Sequence, residues 1–264
     1  MANDFSGDAN CVALWRFEND LLDSTGGNDL TVEDSSYFES TLIKEGSYSN
    51  RYYGWQEVTA IADASLDAGF PFKDGDTNLK MSVCFWARIW GAGASLSVGS
   101  HYYYVSKMSS AGGSWAIGYE CTGYDAGEIG QINFYWWDGE AIQSVNLTTV
   151  TIREDQWYHI SVTYDDQSYR IRVYDVTADA VYETTGMTAD PIAASTTGFS
   201  LTGLTADEGL LACYMDELVV FKDVLTADEI DSIRKASFGS EAEEEEQTTS
   251  AASEFTTILL GCPF

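Results

Sequence analysis

The chain has 264 residues, 45% of them hydrophobic and 14% aromatic, enough to fill the core of one large domain. Forty-two acidic residues against thirteen basic ones leave a net charge of −29. That excess excludes duplex nucleic acid, whose binding depends on Lys and Arg neutralising phosphates, and it opposes contact with an anionic membrane. The same charge favours a divalent cation, a basic partner, or simply a solvated acidic surface suited to a saline medium.

The first predicted strand is Cys11–Phe17, followed by a loop rich in oxygen ligands, Asp23-Ser24-Thr25-Gly26-Gly27-Asn28-Asp29. Residues 31–80 hold short elements separated by Gly and Asp. Met81–Ile89 is rich in aromatic and β-branched residues and reads as a strand, as do Tyr102–Lys107, Ser114–Glu120 and Gln131–Trp137. Asp138-Gly139 is a hairpin turn signal. Trp157–Asp165 and Tyr169–Val176 make the clearest hairpin: Tyr169, Ile171 and Val173 share one face, Arg170, Arg172 and Tyr174 the other. Phe199–Leu204 and Leu211–Phe221 complete the series. Only 3 Pro but 23 Gly suit a chain of many tight turns.

One helix is predicted. Thr226 and Glu229 have capping-box spacing, Ile230 and Ile233 share a face, and Phe238-Gly239 follows as a stop signal. Beyond Ser240 the composition changes. An acidic and polar linker, 241–254, precedes the apolar, strand-prone tail Phe255–Phe264. The tail, with Phe255, Ile258, Leu260 and Phe264 as its anchors, either closes the same sandwich or adds a strand to a neighbouring subunit. The second reading makes the chain a homo-oligomer or a subunit of a virion or filament.

Five cysteines, none in a CxxC pair, argue against a zinc site or a redox dithiol. Cys11, Cys84 and Cys213 lie in apolar runs, where a free thiol acts as a small core residue. Met1-Ala2-Asn3-Asp4 has neither a basic nor an apolar secretory region, and no apolar run approaches the ~20 residues of a membrane span. An extracellular or virion-surface location therefore calls for a processed chain or for release by lysis.

Five segments in order resemble the laminin-G-like jelly roll, a concanavalin A-like β-sandwich. They are Ala13-Leu14-Trp15-Arg16-Phe17, the Asp23–Asp29 loop, Met81-Ser82-Val83-Cys84-Phe85-Trp86-Ala87, Trp157-Tyr158-His159-Ile160, and Met215-Asp216-Glu217-Leu218 with Leu225-Thr226-Ala227-Asp228-Glu229-Ile230. The resemblance covers residues 11–239 and implies an all-β fold: an antiparallel two-sheet jelly roll over 1–240 with one short C-terminal helix. Phe5-Ser6-Gly7-Asp8 leading into the first strand is also similar to domains encoded among phage virion genes.

The resemblance implies a structural calcium held by Asp23, backbone oxygens near Asn28, and Asp216, since calcium takes six to eight oxygen ligands. Asx-turn bonding is the other reading of that loop. The resemblance also implies a recognition module, with a glycan or another cell-surface ligand as partner. Sugars need flat aromatic faces, for which Tyr103, Trp115, Tyr124 and Trp136 are the candidates. Core packing is the competing role for each. Neighbours such as Trp136 and Trp137 face opposite ways in a strand, so one of them is expected to point outward.

Catalysis has little support in the sequence. A retaining glucanase of this broad fold needs two carboxylates about 5–5.5 Å apart on one face. The neighbours Asp216 and Glu217 are expected to point to opposite faces. Non-catalytic recognition or adhesion is therefore the expected function. A structural decoration protein anchored by its tail and a glycan hydrolase of the same fold are the alternatives.

Overall fold

The computed structural model describes residues 3–5, 7–32, 37–54, 59–90, 97–123, 128–204 and 210–239. Tyr124, the linker 241–254, Cys262 and the tail residues Phe255, Ile258, Leu260 and Phe264 lie outside them.

Two antiparallel sheets face each other. The first runs β14 (Ala180–Met187), β13 (Ser168–Asp175), β12 (Trp157–Asp165), β6 (Lys80–Ile89), β16 (Ala212–Phe221), β4 (Ser49–Tyr53) and β3 (Tyr37–Glu39), with β1 (Cys11–Trp15) also paired to β16. The second runs β10 (Ile142–Asn146), β9 (Glu128–Trp137), β8 (Gly112–Cys121), β7 (His101–Ser109), β15 (Phe199–Leu201), β5 (Thr59–Ile61) and β2 (Thr31–Val32), with β11 (Ile152–Arg153) paired to β9. The architecture is the jelly roll that the alternating pattern and the resemblance imply.

The core lies between the sheets, as alternation requires. Val83, Phe85, Ala87 and Ile89 of β6 point inward, as do Tyr158, Ile160, Val162 and Tyr164 of β12. They meet Tyr104, Trp115, Ile117, Phe134 and Phe199 of the second sheet. Trp15 stacks on Phe199 with ring centroids 5.2 Å apart. In β13, Ile171 and Val173 are buried in this core with Tyr169 packed against it, the face the sequence assigns to them. The turn into β13 is a two-residue Asp166-Gln167 loop with positive φ at both positions, the primed geometry that matches strand twist. Cys84, Cys121 and Cys213 are buried free thiols and Cys11 is a half-buried one.

The helix α1 (Ala227–Arg234) carries the capping box: Thr226 Oγ1 accepts from the Glu229 amide, and the Glu229 carboxylate accepts from the Thr226 amide. It ends at Arg234, before the Phe238-Gly239 signal, because Ala236 already has positive φ. Ile230 and Ile233 pack with Phe5, Leu14, Cys84, Val219 and Phe221 on the outer face of the first sheet. Arg172 of β13 reaches across to Asp231 at 2.8 Å. The helix covers one part of that face; among the described residues, no helix covers the part around β3 and β4.

Strands β2 to β5, β10, β11 and β14 are not marked in the sequence as separate strands. They are short or lie at sheet edges, and β14 alternates half-buried and exposed residues throughout. Such strands take their structure from pairing rather than from their own composition.

Candidate functional site

The part of the first sheet's outer face around β3 and β4 carries a cluster of rings around a cation. Cys213 and Met215 point into the core, so Tyr214 between them faces outward; Ala87 and Ile89 likewise turn Arg88 outward. In β4, Tyr52 is buried, and Arg51 and Tyr53 fall on the opposite side. Strand pairing then sets Arg51 beside Tyr37 of β3 and Tyr214 of β16. The Arg51 guanidinium lies 4.2 Å from the Trp90 ring, 4.5 Å from Tyr53 and 5.6 Å from Tyr214. Tyr53 meets Tyr37 and Trp90 edge-on at 4.9 and 5.3 Å. Tyr37 is 46% exposed. Gly54 ends β4 with positive φ where a Cβ would stand 2.8 Å from the Ala212 amide nitrogen, so only glycine lets the chain pass this close to β16. The result is an aromatic platform with a positive centre, assembled from β3, β4, the end of β6 and β16, with Tyr37 exposed, Tyr53 and Trp90 half-buried and Tyr214 buried. None of these residues was a candidate in the sequence, because no local pattern links them.

A second polar cluster lies on the same outer face. Met215 and Leu218 both point into the core with two residues between them, where a regular strand would have one. Asp216 pairs with Trp86 and Val219 with Cys84, so β16 carries a β-bulge, and Glu217 adopts φ +47°. The bulge overturns the expectation that Asp216 and Glu217 point to opposite faces. Glu217 turns to the outer side and binds Arg16 at 3.0 Å, while Arg16 also donates to the Asn3 carbonyl. Asp216 Oδ2 accepts from the amides of Lys44 and Glu45 at 2.8 and 3.0 Å, and its buried Oδ1 has no partner among the described residues. Burial pushes the Asp216 carboxyl up to about 8 and Glu217 up to about 7. Glu217 also lines a cleft of about 570 Å³ with Arg16, Glu18, Lys44 and Glu45.

The proposed calcium ligands do not come together. Asp216 is held by the Lys44–Glu45 loop, whereas Asp23 and Asn28 belong to a closed network with Asp67. Asp23 Oδ1 accepts from Leu14 N, Thr25 N and Thr25 Oγ1, and Oδ2 accepts from Asn28 N and Nδ2. Asn28 Oδ1 accepts from Asp67 N. Donors surround Asp23 where a cation would need oxygens, so these residues do not fit a bound calcium. Among the described residues, no group of three or more His, Cys, Asp or Glu side chains is placed to hold a metal ion. Asx-type bonding is the chemistry of this loop. Chelation with EDTA is expected to leave the thermal midpoint unchanged. A rise of several degrees on adding calcium would show that the loop reopens around the ion.

Three of the sequence candidates for a sugar face, Tyr103, Trp115 and Trp136, are buried, and Tyr124 lies outside the described residues. Trp115 is fully buried, and Trp136 is its partner across β8 and β9, so both point into the core. The outward neighbour is Trp137, packed against a small cluster of Tyr103, Met108, Ala116, Tyr135 and Leu204. Tyr103 faces outward from the second sheet but is only 6% exposed, covered within that cluster. Beside it His101 Nδ1 and the Tyr135 hydroxyl are 3.0 Å apart.

A family model described as the concanavalin A-like lectin/glucanases superfamily matches residues 61–231. Among solved structures, domain 4 of AbnA, a GH43 extracellular arabinanase from Geobacillus stearothermophilus, in complex with arabinotriose, is similar at 16% identity and a TM-score of 0.58, covering 85% of this chain and 98% of that one. The botulinum neurotoxin type G receptor binding domain is similar at 14% identity and a TM-score of 0.57, covering 86% and 51%. The botulinum neurotoxin serotype D ligand binding domain in complex with N-acetylneuraminic acid is similar at 12% identity and a TM-score of 0.58, covering 86% and 50%. The chain thus spans about half the length of these toxin domains. At such identities the likeness is one of fold. No protein of curated function matches the sequence.

Proposed function

The chain belongs to the concanavalin A-like lectin/glucanase superfamily, and from that membership we propose that it is a non-catalytic recognition module that binds a glycan on the Tyr37–Tyr53–Trp90 platform. The observation that carries this reading is the ring cluster itself: Tyr37, Tyr53 and Trp90 gathered with Arg51 on the outer face beside a buried Tyr214, with Tyr37 substantially exposed. Buried aromatics are the rule in a sandwich, whereas a gathered, accessible set suits the C–H faces of sugar rings. The similar arabinanase domain was solved with arabinotriose and one of the similar toxin domains with N-acetylneuraminic acid, which is consistent with the proposal. Display on a virion or another assembly through residues 255–264 would multiply weak single-site affinities where geometry permits.

Titration of a glycan panel, followed by Trp emission and calorimetry, tests the proposal. Trp90→Ala is expected to weaken binding roughly thirtyfold, about 2 kcal/mol, as loss of a central aromatic anchor does. Tyr37→Ala should have a smaller effect in the same direction. Equal binding by Trp90→Ala and the native chain would sink the platform.

A second reading, glycan hydrolysis, draws on the raised carboxyls of Asp216 and Glu217. Against it, Glu217 is ion-paired with Arg16 and Asp216 is wholly enclosed. Turnover of laminarin, alginate or agar by the purified chain would decide for the hydrolase.

A further inference from the structure

We infer that the platform selects a carboxylate-bearing sugar, with the Arg51 guanidinium as the anchor for its acid group. The inference rests on the glycan reading above and adds the chemical class of the ligand. Its basis is an imbalance of charge. The chain has seven arginines, all in described residues. Six of them hold a carboxylate: Arg16, Arg88, Arg153, Arg170, Arg172 and Arg234. Arg51 holds none among the described residues, in a chain with 42 acidic side chains.

The described acid that feels its charge, Glu39, does not compensate it. Glu39 lies close enough for its charge to be felt at Arg51 but beyond ion-pair distance, and its Oε1 accepts from the amide and hydroxyl of Thr41. Arg51 is instead surrounded by rings: Trp90, Tyr53 and Tyr214 lie within 5.6 Å of the guanidinium, and Nε is buried without an acceptor among the described residues. No side-chain hydrogen bond to the described residues engages its terminal nitrogens. A guanidinium held among rings, with no acid of its own among the described residues, has its fork available for two parallel bonds to a carboxylate. The surrounding ring faces would take the C–H surface of the pyranose that carries the acid. An acidic peptide shares the carboxylate but lacks that surface, so the rings favour the sugar.

The test uses the full chain and three probes: oligogalacturonate, the same oligomer with its carboxyls reduced to alcohols, and poly-glutamate. Oligogalacturonate should bind saturably with a change in Trp emission. The reduced oligomer should bind roughly tenfold more weakly, the scale of a lost charged hydrogen bond, and poly-glutamate more weakly still. Arg51→Met should abolish the preference for the acid form while leaving the denaturation midpoint near the native one. If Arg51→Met fails to fold, Arg51→Lys decides: it keeps the charge but not the fork, and should weaken the acid oligomer without affecting the reduced one. Equal affinity for both oligomers, with Trp90→Ala still disrupting binding, overturns the acid-sugar inference and leaves the glycan reading standing. Tighter binding of poly-glutamate overturns the inference in favour of a peptide. If neither oligomer binds and a wider glycan panel also fails, both readings fall together.

Discussion

Replacing Lys107 with methionine is expected to lower the stability of the fold by about 3–5 kcal/mol, the cost of breaking a buried ion pair from one side. Lys107 has no exposed surface, and its ammonium donates to Asp63 Oδ1 at 2.7 Å and to the carbonyls of Ser195 and Thr197 at 2.8 and 2.7 Å. Burial pushes the Lys107 pKa down and the Asp63 carboxylate pulls it back up, so the charge is held only because its partner is in place. Three donors meet three acceptors, and the side chain ties the Asp63–Ser65 turn to the 195–197 segment beside β7. Methionine keeps the stem but leaves the Asp63 carboxylate, itself only 7% exposed, without its counter-ion. For a chain of this size the loss corresponds to a midpoint lower by roughly 10 °C. Urea unfolding of Lys107→Met, Asp63→Leu and the double variant would measure it. The double variant should recover much of the loss, because a buried pair replaced on both sides by apolar groups leaves no orphaned charge. A loss under about 1 kcal/mol in the single variant would mean that water reaches the pair and the enclosure is incomplete.

The second large effect is on pH dependence. Asp216 is raised from its ordinary 3.8 to about 8, first by burial and then by the charges of Glu217 and Glu45, while the amides of Lys44 and Glu45 pull it down by less. Glu217 is raised to about 7 by burial, against the pull of Arg16; Glu45 and Glu18 raise it further. Lys44 is the other cation facing the cleft. In the unfolded chain both carboxyls titrate near their ordinary values. Below about pH 4 both states hold these protons and neither group discriminates between them. As pH rises from there toward 8 the unfolded chain releases the protons while the fold retains them, so stability from this source falls and then levels off. For Asp216 alone the span sets an upper bound of roughly 6 kcal/mol, at 1.36 kcal/mol for each pH unit. Asp216→Asn removes the titration and keeps a carbonyl oxygen for the two amides. The variant is expected to be more stable than the native chain at pH 8.5, with the difference shrinking steadily toward pH 5. Thermal midpoints of the two proteins across this range provide the measurement, and a difference independent of pH would exclude a buried, protonated Asp216. The comparison between variants also removes the general effect of the −29 charge, which is common to both.

Elements that rest on local periodicity were legible in the order of residues alone. The alternation in 157–165 and 169–176, the apolar run at 81–89, and the Thr226–Glu229 capping box each reappear at those positions, because strand pleat, burial and helix capping are written in residues a few positions apart. The ordered motifs around them were enough for the jelly roll. Contacts across strands lay beyond the sequence. Trp136 and Trp137 were known to face opposite ways, but only the register that pairs Trp136 with the inward Trp115 decides which one is buried. The bulge that turns Glu217 outward depends on β6 contributing one residue where β16 contributes two. The platform draws Tyr37, Arg51, Tyr53, Trp90 and Tyr214 from four places in the chain, and that Arg51 alone among the seven arginines has no acid partner among the described residues emerges only from the three-dimensional pairing of the others. Periodicity fixes which side of its own strand a residue takes; which strands lie adjacent, and in what register, is set by the packing of the whole sandwich, and the candidate binding site is a product of that packing.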